Sequence, residues 1–496
     1  MAGEDTVETR RALSVTAGLW ALLFGPFVVA GGLPVFRDLL VTYLPLRHFW
    51  AERVRAGHFP AWFPWEGLGQ PFVGQGVTAS FHPVNLLYLA FNDALALRLE
   101  IATAVLVGLL GQVLFARRLK LSAPAATAGA LVLVLCGYAL SMTSNPAYLR
   151  GLCMLPWVAL FASGALTAER PFASVAGLAV TWASIPLGGD AAATLFAALV
   201  VGAVALGHGL SKRTAWLALG AVLAGLLAAP ELLPSFGLRA ESIVAEFRNA
   251  DFVARFWALH PERLPELLMP RFTSPQQSWA QAATHGEPGR WAESVFFGVP
   301  VVAFALTAPR QRLPMMFLGL GVLGLWLSLG IHGGLDFALR QLVPALNSVR
   351  YPEKHLALAA FGLATAAAFG VERAIATPRA LLPWLGGTAL LTVVLRFAFA
   401  ATPEANLAFG VALATAAATA GVAWLLPRSR AAAWLAPLLL LVALWRTPMG
   451  LSTIPPEDIL TAPTNLPGRV WVERSSSKTP VDEESLRAWA LETRDL

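Results

Sequence analysis

Runs of roughly 20 predominantly apolar residues recur from one end of this sequence to the other, and a stretch of that length is what an α-helix needs to cross the hydrocarbon core of a bilayer. They lie at about 12–33, 95–115, 123–142, 148–167, 172–187, 191–209, 214–236, 292–308, 313–330, 355–374, 380–400, 405–426 and 432–447. In lipid every backbone polar group must be satisfied within the protein, and helices do this segment by segment. The expected fold is therefore an all-α polytopic membrane protein of about 13 transmembrane helices. Composition agrees: 56% of the 496 residues are hydrophobic and only 13% are charged, against about 25% charged in a soluble domain.

The net charge of +6 does not point to nucleic acid, because the basic residues are scattered over short turns and form no continuous patch. Topology accounts for them. With the N terminus in the cytoplasm, alternation puts Arg117, Arg118, Lys120, Arg170, Lys212, Arg213, Arg310, Arg312, Arg373, Arg379, Arg428 and Arg430 on the inner side. The three long polar loops, about 34–94, 237–291 and 331–354, then fall outside, as does a polar, Pro-rich tail from 448 to 496. Residues 1–447 are read as the membrane domain. The tail is expected to drape on it, with a strand at "RVWVE" and a helix at 482–492. The first run follows Arg10 and Arg11 but has no A-x-A cleavage site, so a retained helix is expected. His48, His58, His82, His260, His285, His332 and His355 map outside, and only His208 lies near the inner surface. Cys136 and Cys153 sit in apolar runs without ligand spacing and read as small core residues.

The first outer loop opens "RDLLVTYLPLRHFWAERVRAGHFPAWFPWEGLGQPF", residues 37–72. Asp38 stands at the outer end of the first span, either as an interfacial carboxylate paired with Arg37 or Arg47, or as a site residue, since ionisable groups at the membrane edge are default site candidates. Residues 39–56 are amphipathic and fit a helix lying in the interface. Three prolines and three glycines follow within "GHFPAWFPWEGLGQP", a folded loop that sets Trp62 and Trp65 at headgroup level. Such aromatics serve as anchors, or stack on the C–H faces of a sugar while Glu66, Gln70 and His82 bind its hydroxyls.

Other candidates lie farther along the chain. Asp190, in "LGGDAAATLF", either caps the helix beginning at Ala191 or faces a cavity. Glu231, between two prolines in "AAPELLPSFGLRAES", either lines a cavity at a kink or reaches the interface. In "VPALNSVRYPEKHLALAAFGLA", Arg350, Lys354 and His355 converge just before a span. They are snorkelling cations or a clamp for a phosphate, Arg by bidentate hydrogen bonds and Lys as a point charge. Cations on the outer side run against the topological preference, which favours the clamp. No tight Asp/Glu/His ligand set is readable; the expectation is no cofactor, although a divalent cation is compatible with this chemistry.

Taken in order, the 37–72 stretch, "FHPVNLLYL", "GGDAAATLFAAL", "LAAPELLPSF", "LPELLMPRF", "FFGVPVVAFAL" and "LNSVRYPEKHLALAAFGLATAAAFGVERA" resemble the YfhO-like family of bacterial multispanning membrane proteins, of the GT-C class of glycosyltransferases. The sequence departs from the family pattern at Glu231, where Gln is commoner, and at Ala191, where Pro is. It ends soon after "NLPGRVWVER", so the resemblance implies that most of a C-terminal outer domain is lacking. The resemblance implies a GT-C-like bundle whose large first outer loop carries interfacial helices. It implies a transferase that moves a sugar from a polyprenyl-phosphate-linked donor to a cell-envelope glycan, lipid or protein acceptor at the outer face of the bacterial cytoplasmic membrane. Asp38 would then be the general base on the acceptor hydroxyl, Arg350 and Lys354 would hold the donor phosphate, and Trp62, Trp65, Glu66, Gln70, His82, Asp190 and Glu231 would shape the sugar and acceptor pocket. Competing readings are a lipid or glycolipid flippase, which would favour polar residues along the spans, and a non-catalytic assembly partner.

Overall fold

The computed structural model describes residues 2–66, 69–242, 249–270, 290–399, 403–429, 431–445, 451 and 453–454. The tail features expected at "RVWVE" and 482–492, and His285, lie outside these residues. Each apolar run contains helix. Among the described residues eight helices are long and apolar enough to cross a membrane, and a bent pair taken as one span makes a ninth. Three more apolar helices, Phe172–Leu187, Arg312–Ser328 and Ala431–Leu444, are shorter.

The remaining run, 292–308, departs from the expected span. Only Val299–Thr307 is helical, and nine residues at about 1.5 Å each cover less than half of a ~30 Å hydrocarbon core. Residues 290–298 instead form a non-helical strap inside the protein. Its backbone is satisfied by Leu267 O, which accepts from Phe297 and Gly298 (3.0 and 2.8 Å), by Glu353, and by Ser141 Oγ, which accepts from Ser294 (2.9 Å). Hydropathy cannot separate this case from a span, because backbone buried in protein needs the same apolar side chains.

In chain order α1 is Ala2–Val29, α2 Leu44–Arg55, α3 Leu86–Ala90 and α4 Asp93–Arg118. A bent pair follows, α5 Ala123–Leu135 and α6 Gly137–Ser141, then α7 Pro146–Thr167, α8 Phe172–Leu187, α9 Ala191–His208 and α10 Thr214–Ala240. Beyond α11, Ala250–Arg255, come α12 Val299–Thr307, α13 Arg312–Ser328, α14 Leu335–Leu342 and α15 Leu356–Ala376. The last three are α16 Leu382–Ala398, α17 Pro403–Leu425 and α18 Leu435–Leu444.

Helix α15 is the hub of the bundle, packed on α5, α12 and α13 and buried along nearly its whole length. Between membrane helices close packing stands in for the hydrophobic effect, so small residues at the contact let backbones approach. A Cβ added to Gly362 would fall 2.4 Å from Gly321 N, and one on Gly370 would fall 1.7 Å from Phe304 O. The bend between α5 and α6 is 46°, and the N–H of Gly137 freed there donates to Phe296 O of the strap at 2.7 Å.

The loops sort to two ends. At one end Asp5 pairs with Arg117 and Lys120, Arg118 donates to Thr167 Oγ1, Arg213 to Leu166 O and Ala168 O, and Arg373 to Thr307 O. The short basic turns therefore gather together. At the other end lie the 34–92 loop, the Gly188–Asp190 turn and the segment before α15. The interfacial helix expected over 39–56 is a π-helical turn, Leu39–Tyr43, running into α2. Its apolar face buries Leu46, Phe49, Trp50 and Ala51, with Arg47 among them. A two-strand hairpin, Trp62–Phe63 against Gln70–Pro71, follows, and Leu33–Pro34 pairs with Thr453–Ile454.

Candidate active site

Asp38 sits at the start of the π-helical turn, directly after Arg37, whose φ of 57° is in the left-handed region. That turn lets the two side chains part. Arg37 reaches Trp291 O at 2.7 Å and Glu293 at 3.7 Å, while Asp38 is left half-buried. Burial raises the Asp38 carboxyl above the usual carboxylate range, against the pull of Arg37 and then of Asn145. Asn145 precedes Pro146 at the N terminus of α7. Its Oδ1 accepts from Tyr43 Oη at 3.3 Å, and its side-chain amide faces the Asp38 carboxyl as a hydrogen-bond donor.

Lys354 enters from a 3-10 turn, Pro352–His355, set up by Tyr351 at a φ of 67°. Lys354 is 7% exposed, and its ammonium donates to Tyr148 Oη at 2.9 Å. It stands 4.2 Å from the Tyr148 ring centre, 4.8 Å from that of Tyr351 and 5.7 Å from that of Trp291, within cation–π range of all three. Glu353 points the other way. Its carboxylate accepts from Arg263 Nη1 at 2.8 Å and from Ala292 N at 2.7 Å, which fixes the strap that carries Trp291. His355 leaves the cation group altogether: its Nδ1 meets Pro352 O at 2.9 Å and its Nε2 faces Asp336 at 3.9 Å. In a 3-10 turn successive side chains point about a third of a turn apart, so Lys354 and His355 diverge.

Arg350 is exposed and lies over the Tyr351 ring at 4.9 Å. Tyr351 also packs, tilted, on Trp257, ring centres 4.4 Å apart, and Trp257 is itself at a φ of 58°. Non-glycine residues held in this region cost of order 1–3 kcal/mol and cluster at functional sites; three of them, Arg37, Trp257 and Tyr351, frame this one. Asp38, Arg350, Lys354 and Tyr148 all act electrostatically on Tyr351, and Asp38, Asp190 and Arg350 act on Tyr148. Lys354 and Arg350 thus stand against the phenols, with Asp38 and Asp190 near enough to bear on them.

Asp190 caps α9 as one of its two sequence readings has it, with Oδ1 accepting from Ala193 N at 2.9 Å. It is also buried in the group. Desolvation raises its carboxyl to about 6, against Lys354, the N–H groups of Ala193 and Ala192, and Arg150. Gly151 makes the space, since a Cβ there would come within 2.2 Å of Asp190 Oδ2.

Below lies a cluster that hydropathy reading passed over. Glu100 on α4 is fully buried between Arg47 (3.3 Å) and Arg150, and its Oε2 accepts from Tyr88 Oη at 2.7 Å. Arg47 also donates to Val77 O and Thr78 O (2.9 and 2.7 Å), and Arg150 to Gly188 O (2.7 Å). It is Glu100, then, and not Asp38, that Arg47 pairs with. His82 stands beside this cluster, its Nδ1 accepting from Val84 N at 3.1 Å. Burial, with Arg150 and Arg47 adding to it, drives the imidazole down to about 3, so the ring is neutral. The available signal was a charge inside an apolar run, which by itself marks a buried partner.

Glu231 is a tether. Its Oε1 accepts from Gly74 N and Gly76 N (3.0 and 2.9 Å), while Oε2 is buried without a partner among the described residues. Gly76 in turn abuts Gly189, so Glu231 holds the loop against the turn that carries Asp190. Trp62, Trp65, Glu66 and Gln70 belong to the hairpin. Trp62 is 53% and Trp65 41% exposed, Trp65 packs on Phe49 and Phe63, Trp62 covers Gly69, and Gln70 bonds Glu66. Their described contacts are with the hairpin and α2, not with Asp38, Asp190 or Lys354. Cys136 and Cys153 are free and buried, as expected of core residues.

No protein-family model matches this sequence, and no curated protein matches it. Among solved structures the chain is similar to ArnT from Cupriavidus metallidurans bound to undecaprenyl phosphate, at 15% identity and a TM-score of 0.50, covering 88% of this chain and 76% of that one. The same protein in the apo state gives 14% identity and a TM-score of 0.48, with 92% and 79% covered. The arabinofuranosyltransferase AftD from Mycobacteria gives 17% identity and a TM-score of 0.41, with 81% and 28% covered. The likeness to ArnT is one of fold: the chain is a polytopic helical membrane protein of GT-C-like architecture.

Proposed function

We propose that this protein is a membrane glycosyltransferase that moves a sugar from a polyprenyl-phosphate-linked donor to an acceptor in the bacterial cell envelope. One observation carries the reading. Lys354 bonds Tyr148 and, like Arg350, lies over the Tyr351 ring, and the half-buried carboxylate of Asp38 is near enough to bear on both phenols. Supporting it, the fold is similar to that of a protein whose structure holds undecaprenyl phosphate.

The chemistry requires little more. The acceptor hydroxyl gives its proton to Asp38 as its oxygen bonds the anomeric carbon, and a base with a raised pKa is better matched to that transfer near neutral pH. The bond from the anomeric carbon to the phosphate oxygen breaks, and the electron pair leaves with the lipid phosphate. Lys354 and Arg350 balance that charge in a site where water is partly excluded, which strengthens the attraction. Tyr148 and Tyr351 hold the ammonium in place, and Asp190 faces it from α9. His82 and Glu231 shape the roof, and the exposed Trp62 and Trp65, with Glu66 and Gln70, offer a stacking and hydrogen-bonding surface to a sugar. In this reading the site lies on the outer face of the cytoplasmic membrane, the N terminus is cytoplasmic, the tail lies outside, no metal takes part, and the family is the YfhO-like one.

The test compares envelope glycans by mass spectrometry in a strain lacking the gene and complemented with wild type or Asp38→Asn at matched membrane abundance. A hexose-sized increment that appears with wild type and disappears with the variant supports the reading. Equal restoration by both removes Asp38 as the base, and no difference of either from the gene-deficient strain refutes glycosyl transfer.

A further inference from the structure

At the end of the bundle opposite Asp38, a cleft of about 750 Å³ opens between the turn after α4 and the ends of α7 and α9. Its polar wall holds Arg117, Arg118, Lys120, Asp5, Thr167 and His208, and its apolar wall includes Leu114, Leu160 and Leu313. Three cations face one carboxylate, and Asp5 is shared between Arg117 and Lys120. Arg118 is bound only in part: Nη2 donates to Thr167 Oγ1 at 2.8 Å, while Nε is buried with no partner among the described residues. A buried guanidinium donor normally finds an acceptor. The chain also holds Lys120 at a φ of 65°, a conformation that favours glycine, so the cation is placed there at a conformational cost.

Positive residues at membrane ends ordinarily answer to topology alone. Arg379 is such a residue, exposed on the 3-10 turn after α15. What sets Arg118 apart is a cavity, an orphaned donor and a leucine wall at one place. Together they match a ligand with a multiply accepting anion at one end and hydrocarbon at the other.

We propose that this cleft binds the phosphate of a membrane lipid, with the phosphate oxygens on Arg118 and Lys120 and an acyl chain along Leu114, Leu160 and Leu313. Soluble phosphate offers the same oxygens without the chain, so the test separates the two. The full chain, purified in detergent, is titrated with dioleoyl phosphatidylglycerol and read by native mass spectrometry, with and without inorganic phosphate. The expected result is one lipid retained, its affinity reduced about tenfold in Arg118→Gln by loss of a charge-assisted bond and unchanged in Arg379→Gln. Lys120→Gln, at a largely exposed side chain, should also weaken retention and keeps the test open if Arg118→Gln does not fold. Equal retention in both cleft variants, or an equal loss in Arg379→Gln, overturns the site. Displacement of the lipid by inorganic phosphate alone overturns the lipid as its ligand. Neither result bears on glycosyl transfer.

Discussion

Replacing Glu100 by Gln preserves shape and removes one charge, and the groups packed around that charge set the cost. Glu100 is the carboxylate between two guanidinium groups, Arg47 fully buried and Arg150 nearly so. It takes bonds from both and from Tyr88. Gln offers one acceptor oxygen and turns an NH₂ toward groups that are themselves donors. The carbonyls of Val77, Thr78 and Gly188 continue to hold the arginines, so the loss is the compensating charge. Breaking a buried ion pair by removing one partner costs about 3–5 kcal/mol, because the other charge stays uncompensated. The expected outcome for Glu100→Gln is a marked fall in the thermal midpoint of the detergent-purified protein, followed by size-exclusion chromatography. Removing the whole cluster in a triple variant, Arg47→Met, Glu100→Leu and Arg150→Met, should cost less than the single change. The reasoning fails if Glu100→Gln is as stable as wild type, or if the triple variant is the less stable of the two.

Three further outcomes rest on the same geometry. Asp190, raised from 3.8 to about 6, is harder to ionise folded than unfolded. It therefore burdens the native state by about 3 kcal/mol above pH 6, a burden that recedes as pH falls toward 3.8. Asp190→Asn, which can still cap α9, should be more stable than wild type at pH 7.5 while transfer falls, and that advantage should shrink at pH 5; a pH-independent difference would contradict the assignment. Gly151→Ala puts a methyl on Asp190 Oδ2 and should cost about 1–3 kcal/mol by overpacking, with reduced turnover at matched abundance. Glu231→Gln keeps an acceptor for Gly74 and Gly76 and should stay within about 1 kcal/mol of wild type, whereas Glu231→Ala strands the buried N–H of Gly74 and the partly buried one of Gly76, at about 1–3 kcal/mol. Limited proteolysis at the 69–82 loop distinguishes those two variants.

Much of the architecture was legible along the chain. Apolar runs give the helices, because each crossing must be long and apolar irrespective of its neighbours. The sorting of short basic turns from long polar loops also obeys one-dimensional rules, and the structure gathers the basic turns at one end of the bundle. The site was legible in part. Asp38, Arg350, Lys354 and Asp190 lie at the same end, near Tyr148 and Tyr351, because each stands where a span meets a loop. Trp62, Trp65, Glu66 and Gln70 were chosen for chemistry in a shared loop, but the hairpin ties them to one another and to α2.

Only tertiary structure decided which side chains meet. The site joins residues near 38, 145, 190, 291 and 354, and no local pattern encodes a separation of some three hundred residues. Tyr148 and Trp291 look like ordinary span and loop residues until Lys354 is placed between them. Arg47 reads as a partner for Asp38 until Glu100 claims it, since a buried cation goes to the carboxylate that shares its low-dielectric surroundings. The run at 292–308 shows the limit of hydropathy itself. Burial against protein and burial in lipid ask for the same side chains, so the sequence determined that this segment is buried, and only packing against Glu353, Ser141 and Leu267 decided that half of it would not be a helix.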